Sequence, residues 1–143
     1  MAKVRSAVAI VETPEHRVVQ RRPNLPGKLA YPGKIQLLGG HANDGEDLSH
    51  AVIRELGEET TLVAGELTAV PIWEGPYLGK DRDGQPVERY VGLFRVVVSD
   101  SFELREAGEL VYIPKGAAIE PYETEMTPFA YWALTTAMKR GEE

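Results

Sequence analysis

The hydrophobic pattern changes period several times along the chain, and each change marks an element. Val4 to Glu12 is a nearly unbroken run of Val, Ala and Ile that reads as a buried strand, closed by Thr13-Pro14-Glu15. Arg17 to Arg22 reads as the second strand of a hairpin, and Asn24 to Lys34, rich in Pro and Gly, as a long irregular loop. The apolar run Ile35 to Leu38 predicts a strand that ends at Gly39-Gly40, and Asn43-Asp44-Gly45 has turn composition. From Glu46-Asp47 the period becomes helical, with Leu48, Ala51, Val52 and Leu56 on one face and the two acids expected in the first turn, where they suit the positive end of the helix dipole. Leu62 to Glu74 reads as a strand with Trp73 near its end, Tyr77 to Pro86 as a turn region and hairpin tip, Val87 to Ser99 as the strongest strand, and Glu109 to Ile113 as a shorter one. Thr127-Pro128 opens a last helix, with Thr as cap and Pro in the first turn; Phe129, Trp132, Ala133, Thr136 and Ala137 form its core-facing stripe. The order β-β-β-α-β-β-β-α predicts an α/β or α+β fold, a sheet covered on both faces.

Length and composition narrow this picture. The 143 residues suit one domain spanning 1–143, and 43% hydrophobic residues can bury a core. There is no Cys, so disulfides and thiolate metal sites are excluded. No apolar run reaches the roughly 20 residues of a membrane span, and the N-terminus lacks a signal-peptide core, so a soluble cytoplasmic protein is expected. The Asp81-Arg82-Asp83-Gly84 run looks like part of a calcium loop, but the remaining ligand positions of an EF-hand are missing.

Charge is unevenly spread. Between His16 and Asn43 there is no acid, while Arg17, Arg21, Arg22, Lys28 and Lys34 carry five positive charges; in a chain of net charge −6 that leaves −11 on the remainder. Such a block can line a phosphate-binding cleft or be a merely basic hairpin. Arg21 and Arg22 alternate faces on a strand, so one of them is expected to point at the site. Tyr31 is a candidate for stacking on a base. Overall acidity and the lack of interleaved basic and aromatic residues argue against a nucleic-acid polymer as partner and favour a small phosphate ester.

The candidate chemistry lies on the polar face of the first helix. Glu55, Glu58 and Glu59 stand at i, i+3 and i+4, where like charges cost about 0.2–0.5 kcal/mol per pair, and Arg54 is the nearest cation in sequence. The cluster reads either as a solvated acidic face or as a hard-cation site, since Mg²⁺ takes oxygen ligands from a few carboxylates together with substrate phosphates.

The full spacing from Gly39 to Leu62, GGHANDGEDLSHAVIRELGEETTL, resembles the signature of the Nudix hydrolase family. Gly40, Glu46, Arg54, Glu55, Leu56, Glu58, Glu59 and Leu62 stand at the matching positions, and Thr61 departs from the pattern where the family has Gly. The resemblance implies a Nudix-type α/β/α sandwich with a mixed β-sheet between helices. It also implies that Glu55, Glu58 and Glu59 bind Mg²⁺ or Mn²⁺ together with the carbonyl of Gly39, that Arg54 holds a box carboxylate, and that Glu46 fixes the loop. The implied reaction is attack of water on a diphosphate linkage in a nucleoside diphosphate bonded to another group. An additional acid from a later loop is implied, with Glu106 and Glu109 as candidates before a strand and Glu120, Glu123 and Glu125 in the next loop. Thr61 is expected to be strained if it takes the left-handed backbone that Gly favours at a helix end. The alternative to a hydrolase is a non-catalytic Nudix-like module that binds a nucleotide or nucleotide-sugar. A homodimer through exposed strands or the Pro-rich loop is compatible with either.

Overall fold

The computed structural model describes residues 4–25, 31–80, 83–99 and 101–141. Its frame is strand β1 (Val4–Glu12), whose apolar run is explained by burial on both faces: Val8 and Ile10 belong to one core, Ala7, Ala9 and Val11 to the other. β1 is flanked on one side by β6 (Pro86–Val97), parallel from Val4↔Arg89 to Glu12↔Val97. On its other side β4 (Leu38–His41) pairs antiparallel with its first half, and β2 (His16–Arg21) with its end. β2 carries β7 (Glu109–Pro114) and the short β3 (Ile35–Gln36), and β5 (Val70–Lys80) closes the far edge against β6. The result is a mixed seven-stranded sheet of α+β class.

Helix α1 (Leu48–Glu59) covers one face with Leu48, Ala51, Val52 and Leu56, the predicted apolar stripe. Helix α2 (Pro128–Gly141) covers the other, where Ala130, Ala133, Leu134 and Ala137 are buried. Thr127 caps α2 as expected, its Oγ1 accepting from the Ala130 amide at 3.1 Å. Phe129 and Trp132 lie at the border of the buried stripe, packing edge-on against Tyr77 and Trp73 of β5 at centroid distances of 4.9 and 4.8 Å.

Three expectations are corrected. The run Ile35 to Leu38 is not one strand: it changes partner at Leu37, from β2 to β1. Gly39 and Gly40 belong to β4 instead of ending the strand. Gly39 takes φ +129°, and a Cβ there would lie 2.3 Å from the Ala7 carbonyl oxygen, so only glycine lets β4 come this close to β1. The strand placed at Leu62 to Glu74 starts only at Val70, after a 3₁₀ turn at Ala64–Glu66, and continues through Tyr77 to Lys80. The glycines that suggested a turn make room for rings: a Cβ on Gly75 or Gly79 would come within 3.0 Å of the Trp73 or Tyr77 ring. The hairpin tip lies between Lys80 and Pro86. Finally, Glu46 and Asp47 precede α1. Asp47 is its N-cap position and makes no side-chain capping bond.

Candidate active site

The site is built where the last turn of α1 meets β4. Glu59 is 8% exposed, and its Oε1 accepts a hydrogen bond from the Gly39 amide at 2.9 Å. Glu55 rests directly on Gly40: a Cβ at that position would meet its carboxyl group at 2.8 Å. The two glycines therefore serve different needs. Gly39 permits the strand contact and presents its N–H; Gly40 leaves space for a carboxylate.

Arg54 organises the other acids. Its Nε and Nη2 donate to both oxygens of Glu46 at 2.8 and 2.9 Å, its Nη1 reaches Glu55 and Glu58 at 3.2 Å, and its Nη2 also donates to the His41 carbonyl at 3.0 Å. Glu46 accepts further from the Asn43 amide and meets His50 Nδ1 at 2.7 Å. The Arg54 guanidinium beside Glu46, helped by the Asn43 N–H, holds that carboxyl down at about 2. Glu46 is thus a fixed anion that ties the turn to the helix. Arg5 of β1 supports the same turn from below, donating to the carbonyls of Asn43 and Glu46 at 3.3 and 2.8 Å.

Glu59 has the opposite character. Burial pushes its carboxyl up to about 8 despite the Gly39 hydrogen bond, and the charges of Glu106, Glu55 and Glu58 push the same way. Of the later acids, Glu106 is the one whose charge acts on Glu59. Glu109 and Glu125 are paired with Arg21 at 3.6 and 3.0 Å, while Glu120 and Glu123 face Tyr131 of α2. All groups gathered at Glu59 are hard oxygen donors, the chemistry that fits Mg²⁺ or Mn²⁺. Among the described residues no three acidic or histidine side chains are already converged on one ion position; Arg54 holds Glu55 and Glu58.

The segment bearing Glu106 is clamped to the end of α1. The Thr61 amide donates to the Glu103 carbonyl and the Glu103 amide to Thr61 Oγ1, both at 2.9 Å; the Arg105 amide and Nε donate to the carbonyls of Glu59 and Thr60, both at 2.7 Å. The helix ends with Thr60 in extended backbone, φ −133° and ψ 172°. Thr61 is not left-handed: among the described residues Tyr31, at φ 53°, is the sole non-glycine with positive φ. The expected strain at Thr61 is therefore absent, and its side chain serves as a clamp. Thr61→Gly is expected to destabilise the protein by about 1–2 kcal/mol, from unfolded-chain freedom and the lost hydrogen bond. Chemical denaturation checks this; an unchanged or raised stability would contradict it.

Beside this centre lies a cavity of about 640 Å³ bordered by Arg22, Tyr31, Gln36, Tyr77, Arg89 and Phe129. Gln36 stands three residues before Gly39, a separation of at most about 10 Å of chain. Arg22 also borders a neighbouring recess with Gly108 and Glu109, just past Glu106. Burial, and then the neighbouring Arg89, lower the Arg22 pKa. Arg21 borders that recess too, but is held by Glu109, Glu125 and the Gly33 carbonyl, so Arg22 is the member of the pair that reaches the cavity. Of the rest of the basic segment, Arg17 pairs with Glu12 at 3.5 Å, Lys34 donates to the Thr124 carbonyl, and Lys28 lies outside the described residues. Arg5, Tyr77, Arg89 and Arg105 had no local sequence signal, because each reaches its place by strand pairing or a loop crossing.

Acids around a partly dehydrated carboxylate thus lie beside a cavity bordered by arginines, a setting chemically suited to a phosphoanhydride. A NUDIX domain model matches residues 2–132, and the chain belongs to that family. No protein of curated function matches it in sequence. Among solved structures, the MutT protein of Methanosarcina mazei Go1 superposes with TM-score 0.71 at 18% identity, over 100% of this chain and 99% of its own. The NUDIX domain of Shewanella oneidensis NrtR, complexed with ADP ribose, gives TM-score 0.70 at 17% identity, over 98% and 89%. A bifunctional NMN adenylyltransferase/ADP ribose pyrophosphatase of Francisella tularensis, complexed with AMP and Mn ion, gives 0.68 at 24% identity, over 96% of this chain and 42% of its own. Among the described residues no helix is long and apolar enough to cross a membrane.

Proposed function

We propose that the protein hydrolyses a phosphoanhydride bond in a nucleoside diphosphate linked to another group, using Mg²⁺ or Mn²⁺ held by Glu55, Glu58 and Glu59 with the Gly39 carbonyl. The observation that carries this reading is the buried Glu59, held by the Gly39 amide at 2.9 Å next to the Glu55 carboxyl seated on Gly40, under the added charges of Glu106, Glu55 and Glu58, an excess of negative charge that a cation and its phosphate ligand would complete. When bound, the cation would neutralise phosphate oxygens and make the attacking water more acidic.

The chain's own residues have distinct tasks in this reaction. The Gly39 amide fixes the Glu59 carboxylate, and Arg54 keeps Glu46, Glu55 and Glu58 in register with the turn. Glu106, on the segment clamped through Thr61 and Arg105, would take the proton from water as the water oxygen bonds to phosphorus and the bridging P–O bond breaks. Arg22 meets the phosphates from the cavity side, and Tyr31 with Tyr77 and Phe129 receives the rest of the nucleotide. Arg21 supports Arg22 by tying β2 to Glu109 and Glu125. The alternative of a binding module without catalysis draws on Thr61 standing where the family has Gly; the ordinary backbone of Thr61 means that this departure brings no strain to the loop.

The test is a panel of nucleotide sugars, dinucleoside polyphosphates and nucleoside triphosphates with Mg²⁺, scored by release of monophosphate or phosphate. At least one diphosphate-linked substrate is expected to turn over. Tight binding across the panel without turnover of any member would return the protein to the binding-module reading.

A further inference from the structure

The cavity beside the carboxylate centre is more cationic than a nucleobase pocket requires. Arg22, Lys80 and Arg89 border it, and no Asp or Glu does among its described lining residues, in a chain with 22 acids against 16 Lys and Arg. Its volume of about 640 Å³ is that of a small-molecule site and accommodates a nucleoside with further substituents. One wall is aromatic. Tyr77 and Phe129 meet edge-on with centroids 4.9 Å apart, and Tyr31 completes the lining. A planar base suits that wall and needs no guanidinium.

The scissile diphosphate accounts for one arginine. Arg22 borders both the cavity and the recess beside Gly108 and Glu109, so it stands between the cavity and the segment that carries Glu106. Arg89 is placed differently. It is paired in register with Tyr77 across β5 and β6, next to the aromatic wall, and it forms no ion pair among the described residues. Arg22 and Arg89 also repel each other in a half-buried setting. The first turn of α2 borders the same space through Thr127, Pro128 and Phe129, so the positive end of that helix dipole adds to the field.

We infer that the cavity reads a second anionic group, a phosphate remote from the scissile diphosphate and beside an aromatic base, and that Arg89 is the residue selecting it. The substrates would be nucleotide derivatives phosphorylated on the sugar as well as along the diphosphate. This rests on the phosphoanhydride reading for its place in catalysis. The binding preference itself can be measured without hydrolysis.

Two arms separate the possibilities. In the first, calorimetry compares adenosine and guanosine 5′-monophosphates with their 2′,5′- and 3′,5′-bisphosphates. At least one bisphosphate is expected to bind ten-fold or more tighter than its monophosphate, with a difference that shrinks in high salt. In the second, kcat/KM is compared for pairs differing by one sugar phosphate: ADP-ribose and its 2′-phosphate, NADH and NADPH, dephospho-coenzyme A and coenzyme A. The phosphorylated member of at least one pair is expected to be favoured about ten-fold, mainly through KM. Arg89→Gln should bring the ratio close to one, and Arg89→Lys should retain part of it. Equal binding by every mono- and bisphosphate pair would overturn the inference. So would an Arg89→Gln protein, folded by its thermal midpoint, that keeps the wild-type ratio or loses affinity equally for both members. Bisphosphate preference with no turnover of any pair would instead count against the hydrolase reading and leave the inference standing.

Discussion

Replacing Glu59 with Gln is expected to lower kcat by two or more orders of magnitude, about 2.7 kcal/mol or more of transition-state stabilisation, while the thermal midpoint stays the same or rises. The side chain is buried, and a Gln oxygen can still accept from the Gly39 amide, so shape and one hydrogen bond survive. The charge does not. Without metal that charge opposes folding. The ordinary carboxyl value of 4.5 is raised to about 8 in the folded protein, chiefly by burial and then by Glu106, Glu55 and Glu58. Between those two values the folded state binds the proton more tightly than the unfolded chain, so metal-free stability falls as pH rises through this window, with a slope of at most about 1.4 kcal/mol per pH unit. Thermal melts in chelator from pH 5 to pH 8 should therefore show a downward trend for the wild type that flattens in Glu59→Gln. A variant that keeps the wild-type kcat on its best substrate would refute the catalytic assignment of Glu59; silence of Glu55→Gln and Glu58→Gln as well would leave a binding module.

The parts of this site that could be read from the chain are those built by local periodicity. Leu48, Ala51, Val52 and Leu56 repeat every three or four residues, which placed α1 on the sheet; Glu58 is exposed as its polar spacing implied, whereas Glu59, seven residues after Val52, is buried at the end of the apolar stripe instead of on the opposite face. The same reasoning found β1, whose unbroken apolar run has the same meaning on either face. It failed where glycine has two explanations. At Gly75 and Gly79 the missing side chains leave room for the Trp73 and Tyr77 rings within a continuous strand, and composition alone suggested a turn. It failed again at Thr61, where a departure from a glycine position suggested strain. The hydroxyl instead accepts from Glu103, a partner 42 residues away that no local pattern could supply. Arg5 and Arg89 were invisible for the same reason: the parallel pairing of β1 with β6 and the antiparallel pairing with β4 carry them to the site.

Excess chelator is expected to abolish hydrolysis, and Mg²⁺ or Mn²⁺ to restore it. The argument is electrostatic. Glu55, Glu58 and Glu106 act on a buried Glu59, and a diphosphate adds further negative charge, so the free centre repels its own substrate. Arg54 cannot replace the cation. Both oxygens of Glu46 are already bound to its Nε and Nη2, Nη1 is shared between Glu55 and Glu58, and Glu46 remains ionised down to about pH 2. Releasing Arg54 would also release the turn, because its Nη2 donates to the His41 carbonyl. Arg22 lies on the cavity side and can meet the phosphates, but it leaves the carboxylates unscreened. Activity should therefore depend on the concentration of free divalent ion, with the chelated protein still folded at neutral pH. Circular dichroism would verify the fold, and titration of Mn²⁺ by calorimetry would give the dissociation constant that the activity curve must match. Full turnover in excess chelator would sink the mechanism. Restored turnover at ion concentrations far below the measured dissociation constant would move the metal away from Glu55, Glu58 and Glu59.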